Sequence, residues 1–216
     1  MSVFDAVKKL FAPDLVKNQP VEWLIVGLGN PGGRYALTRH NVGYRGVDRL
    51  LAGKTLEKLS GMPALGARMD LPVSAEGHGG NDPSLKGAIM VLRSTTFMNL
   101  SGEAVGAVAS KWNVPAERII VLHDELDLPA GTVRLKKGGN ENGHNGLKSI
   151  SEHLGTRDYV RVRMGIGRPP KGTAVPDYVL GQPEEDLTAM IALAAKAALL
   201  IVTDGLTKAQ NTIHSR

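Results

Sequence analysis

The 216-residue chain holds six histidines, 21 carboxylates and no cysteine. Thiolate nucleophiles, disulfides and cysteine metal sites are therefore unavailable, and any metal would have to sit on His and carboxylate ligands. Neither a G-x-S-x-G nucleophile elbow nor an H-E-x-x-H helix occurs. A histidine-activated water is then the simplest hydrolytic device within reach. His40 stands out because it lies between Arg39 and Asn41, where a loop re-enters a helix-like stretch, and a near-neutral intrinsic pKa suits a general base. His78, His153 and His214 fall in turn, helix-face and tail contexts, and His123 ends an apolar run. Beside it, Asp124 could orient the His40 imidazole and stabilise its protonated form. The same acidic run, Asp124, Glu125 and Asp127, also fits a magnesium site for phosphoryl chemistry. Residue types alone leave both readings open.

A different chemistry is suggested by Gly27, Gly29 and Gly32, which match the G-x-G-x-x-G dinucleotide fingerprint, with Asp48 suitably placed downstream to meet a ribose. An NAD-dependent oxidoreductase is the reading that follows. Pro31 deletes a backbone N–H from that loop, and Gly33 to Arg39 intervene before the expected helix, so a pyrophosphate would lack its helix N-terminus.

These groups need elements to position them. Trp23 to Val26, Ala88 to Leu92 and Ile119 to His123 are short apolar runs of strand length, and Asn41 to Leu51 and Glu103 to Trp112 have helical character, with Asn41 an N-cap residue type. Strand and helix alternate, which predicts a mainly parallel sheet. Each of the three strands runs into a polar segment, 27–32, 95–99 and 123–127, and in such sheets these carboxyl-end loops converge on the ligand. Thr132 to Lys136 and Tyr159 to Ile166 alternate instead, with Val160, Val162 and Met164 expected inward and Arg161 and Arg163 outward. Pro183 and the acids Glu184 to Asp186 predict the start of a helix running to about Thr203. The Gly-, Pro- and Ser-rich stretch 60–86 reads as a turn-rich excursion, residues 1–20 as an N-terminal extension, and 21–216 as one catalytic α/β domain. No segment has the length and apolarity of a signal peptide or membrane span, so a reducing cytoplasmic location is expected.

The net charge of +5 is unevenly placed: nine Lys and Arg face three acids between Gly131 and Lys171, leaving the remainder at −1. A positive excess confined to one segment predicts a phosphate-rich partner met by one face. Only nine aromatic residues are present, so contact with RNA backbone and shape fits better than stacking of many unpaired bases.

The five segments Val26–Gly32, Thr38–Gly43 with Tyr35, Thr96–Gly102, His123–Pro129 and Gly143–Lys148 together resemble bacterial-type peptidyl-tRNA hydrolases, in that family's order and spacing from about Trp23 to Ala209. The resemblance implies a monomeric, single-domain mixed sheet, mainly parallel, flanked by helices on both faces. It also implies hydrolysis of the ester that joins a peptide to the terminal ribose of tRNA, without metal or cofactor. Under it His40 corresponds to the base and Asp124 to its partner. Asn30, Asn99 and Asn145 correspond to substrate-contacting asparagines, Asn99 and Asn145 also to oxyanion contacts, and Tyr35 and Phe97 line the site. Lys136, Arg163 and His144 correspond to tRNA contacts. An inactive RNA-binding module on the same fold is the non-enzymatic alternative. The chain departs from the family pattern at Glu141, where a histidine is often found, and at Arg93-Ser94, where a proline is common.

Overall fold

The computed structural model describes residues 20–70 and 87–215; the extension before residue 20 and most of the 60–86 excursion lie outside them. Seven strands form one sheet in the order β2-β3-β4-β1-β5-β7-β6. They are β1 Val21–Gly27, β2 Glu57–Lys58, β3 Ala64–Asp70, β4 Ala88–Ser94, β5 Ile119–Glu125, β6 Val133–Lys137 and β7 Val160–Gly165. β4, β1, β5 and β7 run parallel, while β3 and β6 add antiparallel margins. The mixed, mainly parallel sheet is the one expected. β3 was hidden in the stretch read as a turn-rich excursion, because Gly66, Ala67 and Arg68 dilute the apolar alternation that marks a strand.

β1, β4 and β5 carry continuous apolar runs, Trp23–Val26, Ala88–Leu92 and Ile119–Leu122, because both faces are covered. Ile25, Ile120 and Val162 point into one core with the helices α1 Val42–Leu51, α5 Thr188–Asp204 and α6 Leu206–His214. Leu24, Val26 and Val121 point into the other with α2 Ser101–Trp112 and α3 Asn145–Leu154. A short helix, α4 Val175–Leu180, lies between β7 and α5. The expected start of α5 at Pro183 is too early: Asp186 Oδ1 accepts from Thr188 N–H at 2.8 Å and the helix begins there. The acids before it occupy the approach to the helix rather than its first turn.

Packing explains Gly27 and Gly29 of the fingerprint, and a positive φ of 102° explains Gly32. A Cβ on Gly27 would lie 2.4 Å from the Gly43 carbonyl oxygen, and one on Gly43 only 2.3 Å from the Leu122 oxygen. α1 thus presses its backbone onto β1 and β5. It begins only after a 3₁₀ turn, Arg39–Asn41, and the Tyr44 N–H of its first turn already donates to the Leu28 carbonyl of the glycine loop at 3.1 Å, so that donor is not available to a pyrophosphate.

Candidate active site

The carboxyl ends of β1, β4 and β5 lie side by side and their loops meet, as the sequence predicted. Asn30 Oδ1 accepts the Met98 N–H at 2.8 Å, joining the β1 loop to the β4 loop. The 3₁₀ turn carries His40 to the end of β5, where its Nδ1 lies 2.9 Å from both oxygens of Asp124. From the far side the Nε2 of His144, the residue capping α3, lies 2.9 Å from Asp124 Oδ1. The two imidazole centroids are 5.0 Å apart.

Protons can be assigned from these contacts. Burial pushes the Asp124 carboxyl up, but the two histidines facing it outweigh burial and hold it well below the usual carboxylate range. An ionised carboxylate only accepts. His40 therefore donates Nδ1–H and keeps its Nε2 lone pair free. His144 donates Nε2–H, and its Nδ1 accepts the Gly146 and Leu147 N–H groups at 3.2 and 3.4 Å. For His40, burial lowers the pKa, yet the charge and hydrogen bond of Asp124 prevail and raise it. Behind them His123 is wholly enclosed, and burial with the neighbouring His144 pulls it down to about 3. It donates Nδ1–H to the Asp124 carbonyl at 2.7 Å, while its Nε2 has no partner among the described residues.

His40, Asp124 and His144 are grouped closely enough to invite a metal ion. The tautomer argues against it. His144 already uses Nδ1 as an acceptor, so Nε2 must keep its proton and has no lone pair for a cation. The magnesium reading fails on the same evidence of partners: Asp124 faces two histidines, Glu125 Oε2 accepts from Arg163 Nε at 2.9 Å, and Asp127 pairs with Arg168. The acids Asp124, Glu125 and Asp127 serve separate histidine and arginine donors rather than one ion.

A cleft of about 640 Å³ opens over His40 and Asp124, lined further by Asn30, Phe97, Asn99, Asn145 and the α4 side chains Val175, Pro176 and Leu180. Asn99 and Asn145 are exposed to it, and neither caps its helix with its side chain. Asn30 is buried and its orientation is set: Met98 occupies Oδ1, leaving the Nδ2 donors for the cleft. Tyr35 stands behind Phe97 with the rings 6.3 Å apart edge to face. One residue that sequence reasoning assigned only as an N-cap type is a clamp. Asn41 stands at the N-cap position, but its side chain accepts the Asn30 N–H at Oδ1 and donates Nδ2–H to the Asn30 carbonyl, both at 2.9 Å, and makes no hydrogen bond to the helix. Its adjacency to His40 was the available signal.

The basic strands differ from expectation. Lys136 is exposed, and with Arg163 it borders a small polar recess of about 110 Å³. Arg161, expected outward, is buried beneath the loop 138–142 and donates to the Asn140 and Gly139 carbonyls at 2.6 and 2.8 Å. Strand alternation assigns the face of the sheet, but not what covers it. Glu141 is likewise buried. The Arg157 hydrogen bond holds its carboxyl down to about 2 and anchors the loop that leads to His144.

An α/β sheet with a base–carboxylate pair and amide donors at its carboxyl edge defines a hydrolase of the acyl-transfer type. The sequence model of the peptidyl-tRNA hydrolase family matches residues 24–216, and this chain belongs to that family. It is 52% identical over 216 residues to peptidyl-tRNA hydrolase 2 of Corynebacterium glutamicum, spanning 100% of this chain and 98% of the relative. It is 46% identical over 198 residues to the peptidyl-tRNA hydrolase of Frankia casuarinae, covering 89% and 94%. Among solved structures, the peptidyl-tRNA hydrolase of Acinetobacter baumannii superposes with a TM-score of 0.73 at 33% identity, covering 91% of this chain and 96% of that one.

Proposed function

We propose that this chain hydrolyses the ester between a peptide and the 3′-terminal ribose of tRNA, acting in the cytoplasm as a monomer. The observation that carries this reading is the His40–Asp124 pair, with Nδ1–H held by the carboxylate and Nε2 free at the floor of a cleft lined by three asparagines. His40 Nε2 takes a proton from water as its oxygen attacks the ester carbonyl carbon. Asn99 and Asn145 donate to the developing oxyanion. The tetrahedral species collapses, the C–O bond to ribose breaks, and the imidazolium returns its proton to the ribose oxygen. Asp124 stabilises the transient imidazolium.

The fixed orientation of Asn30 supplies selectivity. Its Nδ2–H groups suit the carbonyl of an acylated amine, whereas the ammonium of aminoacyl-tRNA offers only donors and would leave them unpaired. Lys136 and Arg163 support contact with tRNA phosphates beside the cleft.

The test is incubation of the purified protein with radiolabelled N-acetyl-aminoacyl-tRNA, with and without EDTA. Release of the labelled acyl group in both tubes is expected. Loss of release in EDTA would favour metal chemistry, and binding without release would leave an RNA-binding module.

A further inference from the structure

Arg39, the residue before the base, is only 9% exposed, and no ion pair among the described residues engages it. Withdrawing a guanidinium from water without a carboxylate partner is costly and needs a compensating arrangement. Its contacts to distant parts of the chain run to α4. The Arg39 backbone N–H donates to the Gly181 carbonyl at 3.0 Å, and Nη1 donates to the Tyr178 carbonyl at 3.3 Å. The guanidinium also stacks 4.2 Å over the Tyr178 ring. Tyr178 in turn donates its hydroxyl to the Ile166 carbonyl at 2.6 Å, fastening this assembly to the end of β7. The same six-residue helix presents Val175, Pro176 and Leu180 to the cleft, with Val175 and Leu180 left 45% and 41% exposed.

We propose that Arg39 is a positioning residue that couples the apolar α4 wall to His40, so that a peptide seated on the wall holds the base in its working place. The inference rests on the reading that the cleft takes a peptidyl ester. A peptide long enough to reach Val175 and Leu180 covers their apolar surface and steadies α4. Because Arg39 grips α4 by one backbone bond, one side-chain bond and one ring stack, the 3₁₀ turn and its imidazole are steadied with it. A short acyl group ends before the wall and gains nothing. The advantage of a long peptide therefore falls on kcat, since a base held in place speeds proton transfer.

Steady-state kinetics on two substrates sharing one tRNA test this: N-acetyl-aminoacyl-tRNA and a peptidyl-tRNA of about six residues, whose extended reach is roughly 20 Å. The wild type is expected to show the higher kcat on the longer substrate. Arg39→Ala should lower kcat on that substrate about tenfold and leave the short one nearly unchanged, so that the ratio collapses to about one. Arg39→Lys, which keeps a donor but loses the planar stack, should restore part of the ratio. Tyr178→Leu removes the stack from the opposite side and should reproduce the collapse, which keeps the test available if Arg39→Ala does not fold. An equal fall on both substrates, or a wild type indifferent to length, overturns the inference while leaving the hydrolase reading standing. A wild type that cleaves neither substrate overturns both.

Discussion

As the proposed base His40 works only with Nε2 unprotonated, and Asp124 is the reason its pKa lies above the ordinary histidine value despite burial. The acidic limb of kcat/KM should accordingly lie above pH ~6.5, with activity falling as pH drops through it. Replacing Asp124 by Asn removes the raising influence and leaves burial, which lowers the pKa. The limb should move to lower pH while the plateau falls roughly a hundred- to ten-thousandfold, because the imidazolium loses its counter-charge. A plateau loss without a shift of the limb would mean that Asp124 orients the ring but does not set its charge. His40→Ala should abolish turnover and leave tRNA affinity nearly unchanged, read by filter binding. At this scale His40 and Asp124 were legible as candidates from their residue types, whereas Asn30, Asn99 and Asn145 were singled out only through the family resemblance. The role of Asn41 was legible in neither way, because its clamp on Asn30 joins two loop positions 11 residues apart that only the folded turn brings face to face.

The elements decide how these groups are carried. α1 lies so close to β1 and β5 that Gly43→Ala would place a methyl group against the Leu122 and Leu28 backbone. A loss of about 1–3 kcal/mol is expected in urea denaturation, with reduced kcat because α1 follows directly from the turn that bears His40. Unchanged stability would show that the helix can slide without cost. On the other edge, β6 and β7 present Lys136 and Arg163 at the recess beside the cleft. Replacing both by Gln should raise KM and flatten its dependence on salt by about one log unit per log unit for each lost phosphate contact, with kcat little altered. An unaltered salt slope would assign these side chains to the protein surface alone. Pattern revealed β1, β4 and β5 as continuous apolar runs because each is covered on both faces. It missed α4, only six residues long, and misjudged Arg161, whose strand position says nothing of the loop folded over it.

Across the molecule, His123 links the site to stability. Its folded pKa is depressed to about 3, so between there and its ordinary value near 6.5 the unfolded chain binds a proton that the folded chain refuses. Stability therefore rises with pH through that window and is lost on acidification, by up to about 1.4 kcal/mol per pH unit for this one group. His123→Asn should flatten the slope of unfolding free energy against pH between 6.5 and 4, whatever it does to the absolute value; an unchanged slope would place the acid sensitivity elsewhere. The sequence alone determined the class of sheet, the three polar loops at its carboxyl edge, the basic bias of residues 131–171 and the types of residue able to attack an ester. Those features are written in local pattern and composition, which fix periodicity, charge and side-chain chemistry. Tertiary structure alone decided that Asp124 is shared by two histidines, which tautomer each adopts, which way the Asn30 amide faces and that Arg39 leans on α4. Each of these depends on distances between residues far apart in the chain, and such distances exist only once the sheet has brought its strand ends together. For His40, its place between Arg39 and Asn41 supplied the candidate, and the proton on Nδ1, fixed by a carboxylate 84 residues away, leaves the Nε2 lone pair for the proposed role of base.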